Sequence, residues 1–399
     1  MDFVVTGARL IDGTGAAAIE NGVLYIKGER IAYAGDDAGL PDEAQAVSTI
    51  DAAGKTLIPG IIDAHVHICW NGRESVLVSI ARDRDELMLG AVETVRNTLL
   101  SGVTALRDIG GHHYLEMSIR KAINTGQIIG PRMRVSGRIL AMTGGHAYFI
   151  AREADGPDEM RKAAREQMRA GADVIKMMAT GGAATPGQDV NASQLTVEEM
   201  KAAVDTAHAM GRTAAAHCHG TGGIKNSVLA GMDSIEHCTY LTDETADMMA
   251  EHGTQMVLTL GVANPDPDKI PPSAEKEAER LKPIFKMLNE RTHESINIAR
   301  EKGVFIGIGT DAGGNALAPH DFSMAKELEL LVKNGFSPME ALTIGTSHNA
   351  KVLRWEDNLG TLEAGKYADF VILDENPLEN ISNVRCVNAV YKGGEKVVY

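Results

Sequence analysis

The sequence predicts an α/β protein: a (β/α)8 TIM barrel with a small β-sandwich domain built from the N- and C-terminal segments. Three observations predict it. A helix–glycine–strand phrase recurs through the middle of the chain. Eight apolar, strand-like runs punctuate that middle. The two ends share a different texture of short strands and tight turns. The expected division is 1–56 and 358–399 for the two parts of the sandwich, and 57–357 for the barrel.

Taken in order, residues 1–56 carry β-prone runs at Phe3-Val4-Val5, Val23-Leu24-Tyr25-Ile26 and Ile31-Ala32-Tyr33-Ala34. Turn dipeptides Asp12-Gly13, Asn21-Gly22 and Lys27-Gly28 separate them. Residues 359–399 repeat the texture in Phe370-Val371-Ile372-Leu373 and Ala389-Val390-Tyr391. Either end alone is too short to bury a core well, so the two are expected to build one unit. The middle has strands near 57–67, 103–109, 132–139, 172–179, 212–218, 233–237, 254–260 and 304–310. Amphipathic helices are expected over Glu86–Leu100, Asp158–Ala170, Val197–Met210 and Asp243–Glu251. Thr196 with Glu199 reads as an N-cap with acid in the first turn. Gly102, Gly171, Gly211, Gly231, Gly253 and Gly303 each stand just before a strand, where a glycine ends a helix. Eight parallel strands with crossover helices close most simply as a barrel. An open doubly wound sheet would carry a glycine-rich phosphate turn after its first strand, and none is present. The proline-rich stretch 261–283 reads as a long surface loop, either a lid or a tolerated insertion.

Bulk composition narrows the function. Of 399 residues 44% are hydrophobic; Lys+Arg is 39 against Asp+Glu 54, a net charge of −15. An acidic chain without a basic block is unsuited to nucleic acid or an anionic membrane surface. No apolar run reaches the length of a membrane span. Met1-Asp2-Phe3-Val4-Val5 leads directly into strand sequence, without the features of a signal peptide. Cys69, Cys218, Cys238 and Cys386 show no framework spacing. A cytoplasmic protein with reduced thiols is the expectation.

In a barrel, chemistry sits at the C-terminal ends of the strands. The first strand ends in His65 and His67, which share a face because side chains alternate along a strand. Two imidazoles aimed at one point suit a borderline metal such as Zn²⁺. Other strand ends supply Lys176, His217 with His219, His237, and Asp311. A core histidine explains any one of these more easily than all of them together. Lys176 lies between apolar neighbours, where an ammonium is costly. It either pairs with a buried carboxylate or loses its proton and takes up CO₂. The resulting carbamate would bridge two cations.

The motifs Pro59-Gly60-Ile61-Ile62-Asp63-Ala64-His65-Val66-His67, Lys176, His217, Glu236-His237 and Gly309-Thr310-Asp311 resemble the amidohydrolase superfamily. So do Gly7-Ala8-Arg9-Leu10-Ile11-Asp12-Gly13 and Gly360-Thr361-Leu362-Glu363-Ala364-Gly365-Lys366-Tyr367-Ala368-Asp369, over nearly the whole chain. Within it the chain looks most like the Xaa-Pro-dipeptidase-like and imidazolonepropionase-related branch. That branch includes zinc carboxypeptidases on Xaa-Arg/Lys dipeptides and N-acyl amino acids, and ochratoxin-hydrolysing amidases. The resemblance implies a binuclear metal-dependent amidohydrolase with two divalent ions, Zn²⁺ by default, and a carbamate on Lys176. His65, His67 and Asp311 would hold the more buried ion, His217 and His237 the more exposed one, with Lys176 between. Asp311 would also take the proton of the bridging hydroxide that attacks the scissile amide, and pass it to the leaving amine. His146 and Tyr240 are implied as donors to a substrate α-carboxylate. His219 is left as a residue behind the ligands or facing the substrate. The substrate would be a small N-acyl amino acid or dipeptide, and family habit implies a homo-oligomer. Alternatives are a mononuclear deaminase or cyclic-amide (imidazolone-type) hydrolase, which typically lacks the lysine; a lactonase or carbamate hydrolase on the same metals; and a metal-dependent binding protein, for which Asp311 would be superfluous.

Overall fold

The computed structural model describes residues 2–270, 272–321 and 323–398. The N-terminal segment forms β1 (Phe3–Leu10), β2 (Ile19–Lys27), β3 (Arg30–Gly35), β4 (Ser48–Asp51) and β5 (Thr56–Pro59). The middle forms β6 (Ile61–Val66), β7 (Val103–Asp108), β8 (Arg132–Val135), β9 (Leu140–Ala141), β10 (Arg152–Glu153), β11 (Val174–Met178), β12 (Thr213–Cys218), β13 (Ser234–His237), β14 (Gln255–Leu258) and β15 (Ile306–Ile308). The C-terminal segment adds β16 (Phe370–Leu373), β17 (Val387–Lys392) and β18 (Glu395–Lys396).

The two termini do build one sheet. Its order is β18-β17-β16-β5-β1-β2-β3, with β4 also on β1, so β5 and β16 are the seam between the chain ends. Its apolar face joins Val5, Leu24, Ile26, Leu57, Phe370 and Tyr391, with the last two rings stacked at 4.4 Å. The single strand expected near 57–67 is two strands that break at Gly60. Thr56–Pro59 pairs with β1 and β16, while Ile61–Val66 pairs with β7. A Cβ at Gly60 would lie 1.9 Å from Thr104 Oγ1, so only glycine lets the chain cross from one sheet to the other here.

Parallel strands β6-β7-β8 form one sheet, and β9 with β11 to β15 form the parallel run of a second. Hydrogen bonds link the two on both sides: Asp173 N–H donates to Val135 O (2.8 Å), Asp311 N–H to His65 O (2.8 Å) and His67 N–H to Ala312 O (2.9 Å). This is an α/β fold of the TIM-barrel type. All eight strands expected in the middle are present, at β6, β7, β8 and β11 to β15. Helices Arg84–Leu100, Gly156–Ala170, Val197–His208 and Asp243–His252 lie where the periodicity puts them. Thr196 and Glu199 form a reciprocal capping box, and Gly171 and Gly231 end their helices in the left-handed region. No helix among the described residues is long and apolar enough to cross a membrane.

The stretch 261–283 is not one loop. Short 3₁₀ turns give way to a helix over Glu275–Glu301, with Pro283 in its interior. Leu281, Phe285 and Leu288, at helical spacing, pack on Val190, Ala274 and Leu317, and that burial outweighs the hydrogen bond Pro283 removes.

Candidate active site

The strand ends converge. His65, His67, Lys176, His217, His237 and Asp311 all line one cavity of about 100 Å³, together with His146 and His219. Ring centroids of His65 and His67 are 5.4 Å apart, His65 and His237 5.2 Å, and His217 and His237 4.7 Å. Each imidazole is fixed through one nitrogen. His65 Nδ1 meets Glu236 Oε2 (2.9 Å), His67 Nδ1 meets Gly110 O (3.0 Å), and His237 Nδ1 meets Thr259 Oγ1 (2.7 Å). His217 is fixed the other way, with Nε2 on Gly181 O (3.2 Å). The opposite ring nitrogens remain for the cavity. This is the arrangement in which an outer partner sets the tautomer of a metal-binding histidine.

Electrostatics keeps these donors ready. Burial, reinforced by neighbouring imidazoles, holds His217 and His237 well below the usual histidine range, so their lone pairs are free. Burial works to raise the Asp311 carboxyl, but His65 and His67 prevail and hold it well below the usual range. Asp311 Oδ1 lies 3.4 Å from His65 Nε2 and 3.2 Å from His67 Nε2. His237, Cys238 and Asp311 all have positive φ, at 73°, 49° and 51°. Strained backbone at two of these residues fits a site whose geometry is imposed by the surrounding fold.

Lys176 is 1% exposed, and burial lowers its ammonium to about 8. Among the described residues no side chain or carbonyl lies within hydrogen-bond reach of Nζ. The nearby carboxylates of Glu236 and Asp311 act only at longer range. Glu236 is already committed to Arg107 (2.8 Å), Ser234 (2.8 Å) and His65. The donor set therefore suits divalent cations: imidazoles each with a ring nitrogen toward the cavity, one ionised carboxylate and a lysine that sheds its proton easily. His217, His219 and His237 form one compact group able to hold a metal, and His65, His237 and Asp311 form another.

The substrate-facing residues divide. His146 lines the cavity, with Nδ1 on Thr185 Oγ1 (2.9 Å), and burial takes it down to about 3. His219 lines it as well, anchored on Thr239 Oγ1 (2.8 Å). Tyr240 is not among the described lining residues. Its hydroxyl meets Met287 Sδ at 3.1 Å and its ring packs under the 275–301 helix. That helix, absent from the sequence reading up to residue 283, takes up the tyrosine. Cys218 is a packed thiol in the core, as alternation predicts. Sequence reasoning missed Phe285, Leu288, Trp70, Phe149 and Asn315 on the cavity wall. The spacing of Leu281, Phe285 and Leu288 is the signal that could have found the first two.

Residues 56–397 match the model of the Amidohydrolase family. The chain belongs to the amidohydrolase family. It is an enzyme, a hydrolase of amide bonds, and the family generally uses divalent metals. It is 29% identical to ochratoxinase of Aspergillus niger, over 98% of this chain and 86% of that one. The crystal structure of that ochratoxinase has a TM-score of 0.87, covering 99% of this chain and 95% of that one. A Xaa-Pro dipeptidase with methionine bound in its active site is 32% identical, with a TM-score of 0.87 and full coverage of both chains. Imidazolonepropionase of Agrobacterium fabrum is 25% identical over 94% of this chain and 89% of that one.

Proposed function

We propose that this amidohydrolase cleaves the amide of N-acyl amino acids or dipeptides at a binuclear metal centre carried on a closed (β/α)8 barrel. The terminal segments, 1–56 and 358–399, form the accompanying β-sandwich. The observation that carries the reading is Lys176, 1% exposed and without a hydrogen-bond partner among the described residues, facing the same cavity as four strand-end histidines and Asp311. His65, His67 and Asp311 would hold one ion, His217 and His237 the other, with carboxylated Lys176 between them. Bound there, Zn²⁺ or a similar ion would polarise the scissile carbonyl and acidify water. Asp311 Oδ1 accepts the proton of the attacking water and returns it to the leaving nitrogen; its lowered pKa keeps it in the accepting form. His146 and His219, neutral and anchored through Nδ1, present Nε2 to the substrate. Tyr240 would join them only by turning away from Met287.

The relatives support an amide substrate, since an ochratoxinase aligns over 98% of this chain and a Xaa-Pro dipeptidase over all of it. The compact His217, His219 and His237 group favours a second reading, a mononuclear deaminase or cyclic-amide hydrolase. Metal content and turnover on a panel of N-acyl amino acids and dipeptides separate the two. About two ions per chain in the wild type are expected, falling to one or none in Lys176→Ala, with turnover down by about a thousandfold or more. One ion and unchanged turnover in Lys176→Ala would select the mononuclear reading.

A further inference from the structure

The walls around the imidazole cluster are apolar and come from two separate packing groups. Trp70, Val76, Phe149 and Ile150 belong to the cluster behind β6 and β7, and Phe285 and Leu288 to the cluster under the 275–301 helix. Both groups line the cavity. Among the described lining residues the ionisable ones are the imidazoles, Lys176 and Asp311, all at the metal-binding end. No arginine, glutamate or second aspartate is set into the wall to meet a charged side chain. A charge brought in here would be desolvated without a partner.

Two wall residues carry a polar group: Trp70, whose buried Nε1–H has no partner among the described residues, and Asn315. Asn315 is 7% exposed, in the turn after Asp311. Its Oδ1 accepts from Leu317 N–H at 2.8 Å, which fixes which end of the amide is oxygen. Its Nδ2 has no protein partner among the described residues, and the side chain borders the cavity. An amide nitrogen that opens to the cavity beside an apolar wall is a recognition element for an acceptor oxygen of the ligand.

We infer that the enzyme selects substrates with uncharged, apolar or aromatic side chains, seated between the Phe149/Ile150 wall and the Phe285/Leu288 roof, with an oxygen of the substrate accepting from Asn315 Nδ2. The inference takes its substrate type from the amide-hydrolase reading above. It excludes Xaa-Arg and Xaa-Lys dipeptides, which the family resemblance alone would allow.

The test pairs turnover with binding on the purified metal-loaded enzyme. The values of kcat/KM are measured for N-acetyl derivatives of Phe, Leu, Met, Lys, Arg and Asp. Calorimetry measures binding of the free amino acids Phe, Leu, Lys and Asp. The apolar members are expected to exceed the charged ones by about 100-fold or more in kcat/KM, and to bind where the charged ones do not. Phe285→Ala should lower kcat/KM for the phenylalanine substrate by about tenfold or more and narrow the gap. Phe285→Leu makes the same comparison if the alanine variant does not fold. Asn315→Asp keeps the acceptor for Leu317 but removes the donor. It should raise KM by about tenfold, a larger effect than on kcat. Charged substrates within about tenfold of apolar ones, unchanged selectivity in the Phe285 variants, or no binding of any amino acid would each overturn the inference. An Asn315→Asp enzyme with wild-type KM would remove Asn315 from it. Selective binding of apolar amino acids without hydrolysis of any amide would instead defeat the reaction proposed above and leave the cavity inference standing.

Discussion

Glu236 is fully buried and meets no solvent, yet it sets the orientation of His65. Its carboxylate accepts from Arg107, Ser234 and His65 together, and these partners outweigh the burial that would raise it, so it stays ionised. Arg107 in turn donates to Ala64 O at 2.6 Å, so the ion pair ties β6, β7 and β13 behind the imidazole cluster. Glu236→Gln should weaken metal binding by about 10- to 100-fold in a chelator competition. It should also cost about 3 kcal/mol in denaturant unfolding, because Arg107 is left buried without its counter-charge. Glu327 makes a different prediction. Burial raises its carboxyl from 4.5 to about 8, against the two N–H groups of Leu260 and Gly261 that it accepts from. The folded protein keeps this proton up to about pH 8, whereas the unfolded chain releases it near pH 4.5. The folded state thus binds more protons over that window, and its stability falls as pH rises through it. In Glu327→Gln that part of the decline is gone. Thermal midpoints at pH 5 and pH 8.5 should show the wild type losing ground against the variant at the higher pH. The convergence of His65, His67, Lys176, His217, His237 and Asp311 on one cavity was legible in the sequence because strand alternation and the polarity of the parallel strands put them at the strand ends. Arg107 and Asn315 were not: the importance of Arg107 lies in the partners folding brings to it from two other strands, and that of Asn315 in an amide nitrogen left facing the cavity.

The 275–301 helix shows why elements are harder to read than residues. Prolines at 265, 267, 271, 272 and 283 suggest a loop throughout, and up to the 3₁₀ turns they describe the backbone correctly. From Glu275 onward the apolar spacing prevails over Pro283, because tertiary burial of one face exceeds the local penalty. Pro283 is exposed, so its replacement disturbs no packing. Pro283→Ala should stabilise the protein by about 1–2 kcal/mol, less than the full helix-interior penalty because alanine also loosens the unfolded chain. Chemical denaturation measures it. If the helix roofs the cavity as described, KM should change less than stability does. The regular β/α phrases needed no such arbitration: their capping residues, apolar spacing and terminal glycines agree with one another.

At the scale of the whole molecule, Gly60 is the crossing point between the terminal sheet and the parallel strands. Gly60 N–H donates to Asp369 O, and Ile61 N–H to Gly102 O, so each neighbour is committed to a different sheet. Gly60→Ala drives a methyl group into Thr104 and should cost about 1–3 kcal/mol by denaturant unfolding, part of which Thr104→Ala recovers. The joining of both chain ends into one unit was legible from their shared texture, but the break at Gly60 was not legible from apolar patterning. Within the apolar run from Leu57 to Ile62 the mark of the change in partner is Pro59-Gly60, and the contact with Thr104 shows why glycine stands there.

The bonds from Asp311 to His65 O, and from Thr310 Oγ1 to Asp63 (2.7 Å), join the first parallel strand to the last. During synthesis this becomes a matter of timing. His65 and His67 leave the ribosome early, and the edge of β6 must wait for the segment that carries Asp311. β5 waits longer still, for β16. Long-range pairing of this kind is slow and leaves open strand edges in the interim. No ribosome-bound fragment ending before residue 311 can carry all the strand-end side chains that line the cavity. The cavity that gathers these side chains is therefore completed among the last acts of folding, and the early strands pass that interval with their edges open.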